Sequence, residues 1–314
     1  MNREQMGLIV KREDGSEIVN YDDPQFPSYI FEGWVKPKVT WERVPHFHED
    51  IEMCTVTKGK MAYSVNGKTV MLHEGDTIFI NSNQIHYSMC IDDVGARYII
   101  FIVQPGILNA SVAVEMQAIR PIIENKDLPY LRFRDIDEMT EEVFRLMHTL
   151  LPIRHCAFEI TKQFFQIWDL VIKRSEIIGA LAPEEAPDAK MQTFKTMMAF
   201  IANEYQRSLT LEEIAGSANI SKSLCNLLFN QFVSESPINY VLHFRARKVA
   251  EYLRSSNLNM TEIASLCGFS GTSYMSETFK KFFGSSPRDY RKQWTTMVAN
   301  DAKVQMQNSY LSEA

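Results

Sequence analysis

Between residues 29 and 103 apolar and polar side chains alternate over short runs: IFEGW, HFHEDIEMCTV, KGKMAYSVNGKTVML, HEGDTIFI, SNQIHYSM and ARYIIFIV. A period of two puts successive side chains on opposite faces of a strand, so each run predicts a strand with one face in a core. Asn66 and Gly67, set between MAYSV and KTVML, are the residue types that a two-residue hairpin turn demands. Many short strands at this spacing predict an all-β barrel or sandwich. After Pro105 the period lengthens to 3.6. Val143, Leu146, Met147 and Leu150 predict a helix over 137–150, and Ile160, Phe164, Ile167, Trp168 and Val171 predict one over 158–178. Such helices either close the core of the β domain or present a face to another subunit. Residues 1–28 are polar and end in DDPQFPS, which reads as an arm with little core of its own. The Pro, Ala and acidic stretch at 179–190 reads as a linker.

The helical pattern beyond the linker is duplicated. IAGSANIS at 214–221 returns as IASLCGFS at 263–270, and Phe229, Pro237 and Tyr240 return as Phe279, Pro287 and Tyr290. Each copy has an apolar-Ala pair, a residue suited to positive φ (Asn219, Gly268), then a Ser suited to cap a following helix (Ser221, Ser270). That is a helix-turn-helix pattern, twice. In the first copy Thr210 and Glu213 form the sequence of a capping box at the start of a helix over 211–218. Leu224, Leu227, Leu228 and Phe229 are expected to face inward from its second helix, leaving Lys222, Ser223 and Asn226 outward. A long helix over 238–255 joins the copies. The second outward-facing helix, 272–282, has Tyr274, Met275, Thr278, Phe279 and Phe282 as expected core, leaving Thr272, Ser273, Ser276, Glu277 and Lys280.

Composition narrows the class. A chain of 314 residues, 45% hydrophobic and 23% charged, is long enough for about two globular domains. It contains no run of eighteen apolar residues and begins with a charged segment, so a soluble cytoplasmic protein with no membrane partner is expected. Cys54, Cys90, Cys156, Cys225 and Cys267 are odd in number and scattered, which predicts reduced thiols. The net charge of −6 argues at first against a nucleic-acid partner, but the sign is divided along the chain. Residues 191–294 carry 12 Lys and Arg against 8 Asp and Glu, whereas the rest carries 21 against 31. The duplicated part is the basic part, as a DNA-facing module would be.

From residue 209 to 292 the chain resembles the DNA-binding domain of AraC/XylS-family transcription regulators, most specifically in GFSGTSYMSETFKKFFGSSPRDYR. The resemblance implies double-stranded DNA as partner and two recognition helices in successive major grooves, which lie about 34 Å apart. Lys281, Arg288, Arg291 and Lys292 are then placed for phosphate rather than bases. Two positions depart from the family pattern: Leu227 and Glu277 stand where basic residues are common. A glutamate can accept from a cytosine amino group, or it can pair with a neighbouring Arg. Ser234 replaces a Gly usual in the first copy, which leaves the geometry of that turn open.

The alternating region carries His46, His48, Glu52 and His86 at a spacing that resembles the two cupin motifs, with Asn81 and Asn83 where the second motif has Pro and Gly. On a strand, residues 46, 48 and 52 share one face. Three imidazoles and a carboxylate are competent to hold divalent Mn, Fe, Ni or Zn. Regulators resembling this chain use the barrel as an effector pocket, so a small organic effector, a bound metal and purely structural histidines all stay open. Trp34 and Trp41 offer faces for a carbohydrate effector. His73, His148, His155 and His243 stand alone in the sequence.

The expected architecture is α+β and multidomain. An N-terminal arm (1–28) leads to a cupin-like β-barrel with a helical dimerisation segment (29–178). A linker (179–190), an all-α domain with two helix-turn-helix units joined by a long helix (191–294) and a tail (295–314) follow. The function this implies is a ligand-responsive, dimeric, non-enzymatic transcription regulator, sugar-responsive if the aromatics serve the pocket, with RNA polymerase a further partner if it is an activator. The alternative is a metal-dependent cupin enzyme fused to a DNA-binding domain.

Overall fold

The computed structural model describes residues 10–12, 14, 16–23, 25–37, 45–134, 137–178, 188–292 and 294–295. A short ribbon, β1 (Val10–Lys11) and β2 (Glu17–Ile18), precedes β3 (Ser28–Val35), β4 (Ile51–Val65), β5 (Lys68–His73), β6 (Thr77–Ile80), β7 (His86–Cys90) and β8 (Ala96–Val103). A helical stretch with α1 (Val112–Val114) and α2 (Arg120–Ile123) leads to β9 (Tyr130–Phe133), then α3 (Glu138–Ile153) and α4 (Ala157–Ile178). The polar arm therefore contains paired strands, with β1 and β2 antiparallel.

Strand β4 is the spine. Its first half pairs antiparallel with β8 and β6, its second half with β5 and β7, and a register shift between Val56 and Lys58 turns it from one set to the other. The Asn66-Gly67 turn has φ of 49° and 81°, the left-handed pair that matches strand twist. Alternation sends Cys54, Val56, Met61, Tyr63, Val65 and Ile78 into the barrel interior. Ile51, Met53, Phe79, Ile99 and Phe101 go to its outer face, where Val143, Leu146, Met147, Ile160, Phe164 and Trp168 of α3 and α4 cover them. The two amphipathic helices thus close the core of the β region itself. They still leave Phe158 (75% exposed), Phe165 and Ile177 of α4 in solvent.

The C-terminal region is helical: α5 (Asp188–Glu204), α6 (Leu211–Ser217), α7 (Lys222–Val233), α8 (Pro237–Ser255), α9 (Met260–Leu266) and α10 (Thr272–Phe283). The duplication is visible in its local bonds. Thr210 with Glu213 and Asn259 with Glu262 both form complete capping boxes. Asn219 (φ 54°) and Gly268 (φ 74°) occupy the tight turns. Ser234 adopts the same left-handed conformation as Gly284, with φ of 54° and 72°, so the serine leaves that turn's geometry unchanged. Ser221 caps α7 as expected, but α10 is preceded by Gly271 with no side-chain cap, so Ser270 does not fill that role.

Gly268 is the strictest of these positions. A Cβ there would sit 2.5 Å from the Tyr205 carbonyl oxygen and 2.7 Å from that of Gln206, both backbone atoms, and the backbone is left-handed as well. Gly268→Ala is expected to cost about 2 kcal/mol or more, since steric overlap adds to the usual penalty for a side chain at positive φ. A urea midpoint unchanged from the parent would contradict this.

Candidate effector site and nucleic-acid interface

His46, His48 and His86 come from two segments held back to back. His46 and His86 form an isolated antiparallel bridge in which each backbone N–H donates to the other's carbonyl, at 3.1 and 2.9 Å. Residues 49–50 bend away from strand geometry before β4 begins, so the shared face is not that of one continuous strand. The ligand atoms converge nonetheless: one nitrogen from each histidine and an oxygen of Glu52 all lie within 4.8 Å of one another. His48, Glu52 and His86 are buried and His46 is half-buried at the mouth, where its Nε2 faces Glu17 at 4.0 Å.

The hydrogen bonds fix which nitrogen is which. His48 Nδ1 donates to the Asp50 carbonyl at 2.9 Å, and His86 Nδ1 donates to the Gln84 carbonyl at 2.9 Å. A carbonyl can only accept, so both Nδ1 atoms carry protons and both Nε2 atoms are turned to the site. They point at the same oxygen, Glu52 Oε2, at 3.2 Å from His86 and 3.7 Å from His48. Tyr63 Oη donates to the other carboxylate oxygen at 2.8 Å. Two lone pairs facing a carboxylate repel it unless a positive charge lies between them, either a proton on a ring or a metal cation. Burial pulls the His48 imidazole down, but the bond and charge of Glu52 outweigh it and hold the group above its ordinary value. Burial likewise pushes Glu52 up, yet the His86 charge and the bonds from both rings hold its carboxyl well below the usual range. Donors of this kind, with His48, Glu52 and His86 each oriented by a second bond from behind, fit a divalent transition metal.

The aromatic expectation fares differently. Trp34 is 45% exposed, points away from the barrel interior and lies under Lys36 and Arg97. On β8 it is in register with Arg97, whereas Glu52 is in register with Ile102, so Trp34 is well removed from the site. Trp41 lies outside the described residues. Asn83, in the position of the motif's glycine, does adopt positive φ (62°). Asn81, in place of the proline, donates through Nδ2 to the carbonyls of Ile122 and Leu128 and ties the site loop to the helical stretch behind it. Tyr63 at the carboxylate and Glu17 at the mouth carry no motif signal, since only the fold brings them there. His243, solitary in sequence, is a buried core residue that stacks on Phe282 and faces Glu235.

On α7, Lys222, Ser223 and Asn226 are exposed as expected, with Lys222 paired to Glu212. Leu224 and Leu227 (53% exposed) are outward as well, correcting the expected inward set; Cys225, Leu228, Phe229 and Phe232 fill the core instead. On α10, Ser273, Glu277 and Lys280 are exposed, Thr272 and Ser276 half-buried, and Met275, Thr278, Phe279 and Phe282 buried. Tyr274 is 44% exposed rather than core. A periodicity argument assigns apolar residues to the core by default, and on these two helices Leu224, Leu227 and Tyr274 are exposed instead. Lys281 is exposed and donates to Asn239 Oδ1 at 3.0 Å, and Arg288 and Lys292 are exposed. Arg291 is half-buried and donates to the Leu253 carbonyl, so it fastens the module's end to α8.

The family described as a cupin domain matches residues 35–103, and the family described as a helix-turn-helix domain matches residues 214–293. The HTH-type transcriptional regulator YdeC of Bacillus subtilis (strain 168) is 24% identical over 282 residues, covering 88% of this chain and 95% of its own length. The HTH-type transcriptional activator RhaR of Cronobacter sakazakii is 24% identical over 274 residues, covering 84% and 94%. Among solved structures, ToxT from Vibrio cholerae O395 aligns over 87% of this chain and 99% of its own with a TM-score of 0.46 and 11% identity. The chain thus carries a cupin domain followed by an AraC-type helix-turn-helix domain, and the relatives that span most of its length are named as HTH-type transcriptional regulators.

Proposed function

We propose that this regulator reads DNA with both α7 and α10 and senses its effector at the histidine cluster of the barrel, with a divalent transition metal as the anchor of that site. The observation that carries the sensing role is the pair of Nε2 atoms aimed at one buried carboxylate oxygen. His46, His48, Glu52 and His86 would hold the cation, which supplies a positive charge and open coordination positions. The half-buried edge beside His46 is where a small organic effector would reach it. The carbohydrate expectation rested on aromatic faces, and Trp34 is not among the groups at the site. Metal analysis of untagged protein prepared without chelator is expected to return about one equivalent per chain; a substoichiometric value removes the metal from this reading, and turnover of any organic ligand would favour the enzyme alternative.

Two turn-linked helix pairs, α6 with α7 and α9 with α10, flank the rigid α8 and support a monomer that spans two successive major grooves. Phe158 and Phe165, one heptad apart on the exposed face of α4, support a homodimer. Selection of DNA from a random pool by the full chain is expected to enrich one motif with two half-sites about one helical turn apart, and failure to enrich any sequence would remove specific recognition. Glu277 is exposed and takes part in no ion pair among the described residues, which favours the base-reading role over the pairing one. In that selection Glu277→Ala is expected to relax preference at one base pair by about 1–3 kcal/mol, roughly 5- to 150-fold, leaving other positions intact. Unchanged selectivity would leave Glu277 with no part in readout.

A further inference from the structure

The residues that alternate with the site histidines do not face the barrel. Phe47, between His46 and His48, and Ile85, next to His86, are buried in the same hydrophobic cluster as Phe194, Met197 and Met198 of α5 and Leu228, Phe229 and Phe232 of α7. The two segments are a plate with the candidate site on one side and the core of the first helix-turn-helix unit on the other. Further contacts hold the plate there. Lys195 of α5 donates to the Asn83 carbonyl at 2.7 Å and lies 4.2 Å from the centre of the Phe47 ring. The β4–β5 turn clamps the same segment: Asn66 and Ile85 exchange bonds at 2.7 and 3.0 Å, and Asn66 Nδ2 donates to Gln84 Oε1 at 2.7 Å. At the tip of that turn, a Cβ on Gly67 would fall 2.1 Å from the Gln231 carbonyl oxygen, so backbone at the end of α7 rests directly on the hairpin.

The second unit has no such attachment in its core. The cluster built from α8, α9 and α10, with Ala246, Val249, Ile263, Met275, Phe279 and Phe282, contains no side chain from the barrel among the described residues. We infer that the first DNA-binding unit alone is docked on the back of the effector site, so that occupancy of the site sets how firmly α5 to α7 are held, while α9 and α10 move with α8. The inference rests on the reading of the histidine cluster as a sensing site. His46 and His86 share two backbone bonds, and a group that draws their rings together on one side also stiffens the plate that carries Phe47 and Ile85 on the other. An occupant therefore favours the docked arrangement, with coupling confined to one of two otherwise similar units.

Hydrogen exchange on the full chain, read by mass spectrometry, tests this with Ni²⁺ as the probe. One equivalent of Ni²⁺ is expected to slow exchange across 194–233 by about 5-fold or more, the low end of ordinary coupling, and to leave 260–283 unchanged. Phe47→Ala is expected to keep Ni²⁺ uptake and lose the slowing. His46→Asn, at the half-buried mouth, perturbs the plate without any metal and is expected to speed exchange over 194–233 only. If Ni²⁺ binds and both units respond alike, or neither does, the inference is overturned. If Ni²⁺ is not taken up but His46→Asn still speeds 194–233, the metal reading falls and the coupling stands. If His46→Asn leaves that segment unchanged, the coupling falls whatever Ni²⁺ does.

Discussion

Glu52→Gln is expected to lower Ni²⁺ or Zn²⁺ affinity by about 100-fold or more while leaving the metal-free protein folded. Glu52 is the sole carboxylate among the four converging donors. It is buried, it accepts from Tyr63, and its other oxygen is the atom both Nε2 groups face. Glutamine keeps the shape and removes the charge, and its amide can donate to His86 Nε2 where the carboxylate repelled a neutral ring. The metal-free site is therefore relieved by the same change that disables coordination. Calorimetric titration should show the loss of affinity, and the rise in melting temperature that excess Ni²⁺ gives the parent should disappear. A purely hydrogen-bonded histidine cluster makes the opposite forecast: Glu52→Gln would lower stability without metal and change no metal response. Unaltered Ni²⁺ affinity in the variant would remove Glu52 from the coordinating set.

What could be read from the sequence divides by the range of the interaction that fixes each feature. Asn66-Gly67, the Thr210 and Glu213 capping box, Asn219 and Gly268 are set by backbone conformations within four residues, and the structure has each as expected. The convergence of His46, His48, Glu52 and His86 was legible because the motif's spacing encodes a barrel, although bends at residues 49–50, rather than one strand face, deliver it. Alternation shows that Phe47 and His48 point to opposite sides, but it does not say which core each side belongs to. Phe47 lies in the core of the first helical unit. The same limit applies to Leu224, Leu227 and Tyr274, which periodicity assigns to the interior and the structure leaves exposed. Trp34 was placed by proximity along the chain, whereas the register of β3 on β8 carries it away from the site. The helices α3 and α4 left two uses open, core and subunit contact, and their buried stripes against β4 and β8 account for one of them.

Asp137→Ala is expected to destabilise the β region by about 3 kcal/mol, the low end for breaking a buried ion pair, because Asp137 is itself partly open to solvent. The carboxylate does two things at once. It caps α3 by accepting from the Thr140 N–H at 2.8 Å, and it binds the Arg174 guanidinium of α4 at 2.7 and 2.9 Å. The side chain of Arg174 is only 5% exposed, against 32% for Asp137, so truncation removes a carboxylate partner from a charge that water barely reaches. Burial pushes the Asp137 carboxyl up, but its bonds to Thr140 and Arg174 outweigh that and hold it below its ordinary value. The sign follows: the pair's contribution is complete above the ordinary aspartate range and is lost as pH falls through the lowered value, so parent and variant should converge in acid. Arg174 also lies over the Phe133 ring at 5.2 Å, and an apolar replacement can keep that contact. The double change Asp137→Ala with Arg174→Met is accordingly expected to be more stable than Asp137→Ala alone, because it also removes the buried charge whose pairing with Asp137 is lost. Urea unfolding of the three variants measures both effects, and an Asp137→Ala cost below about 1 kcal/mol would reduce the pair to an ordinary helix cap.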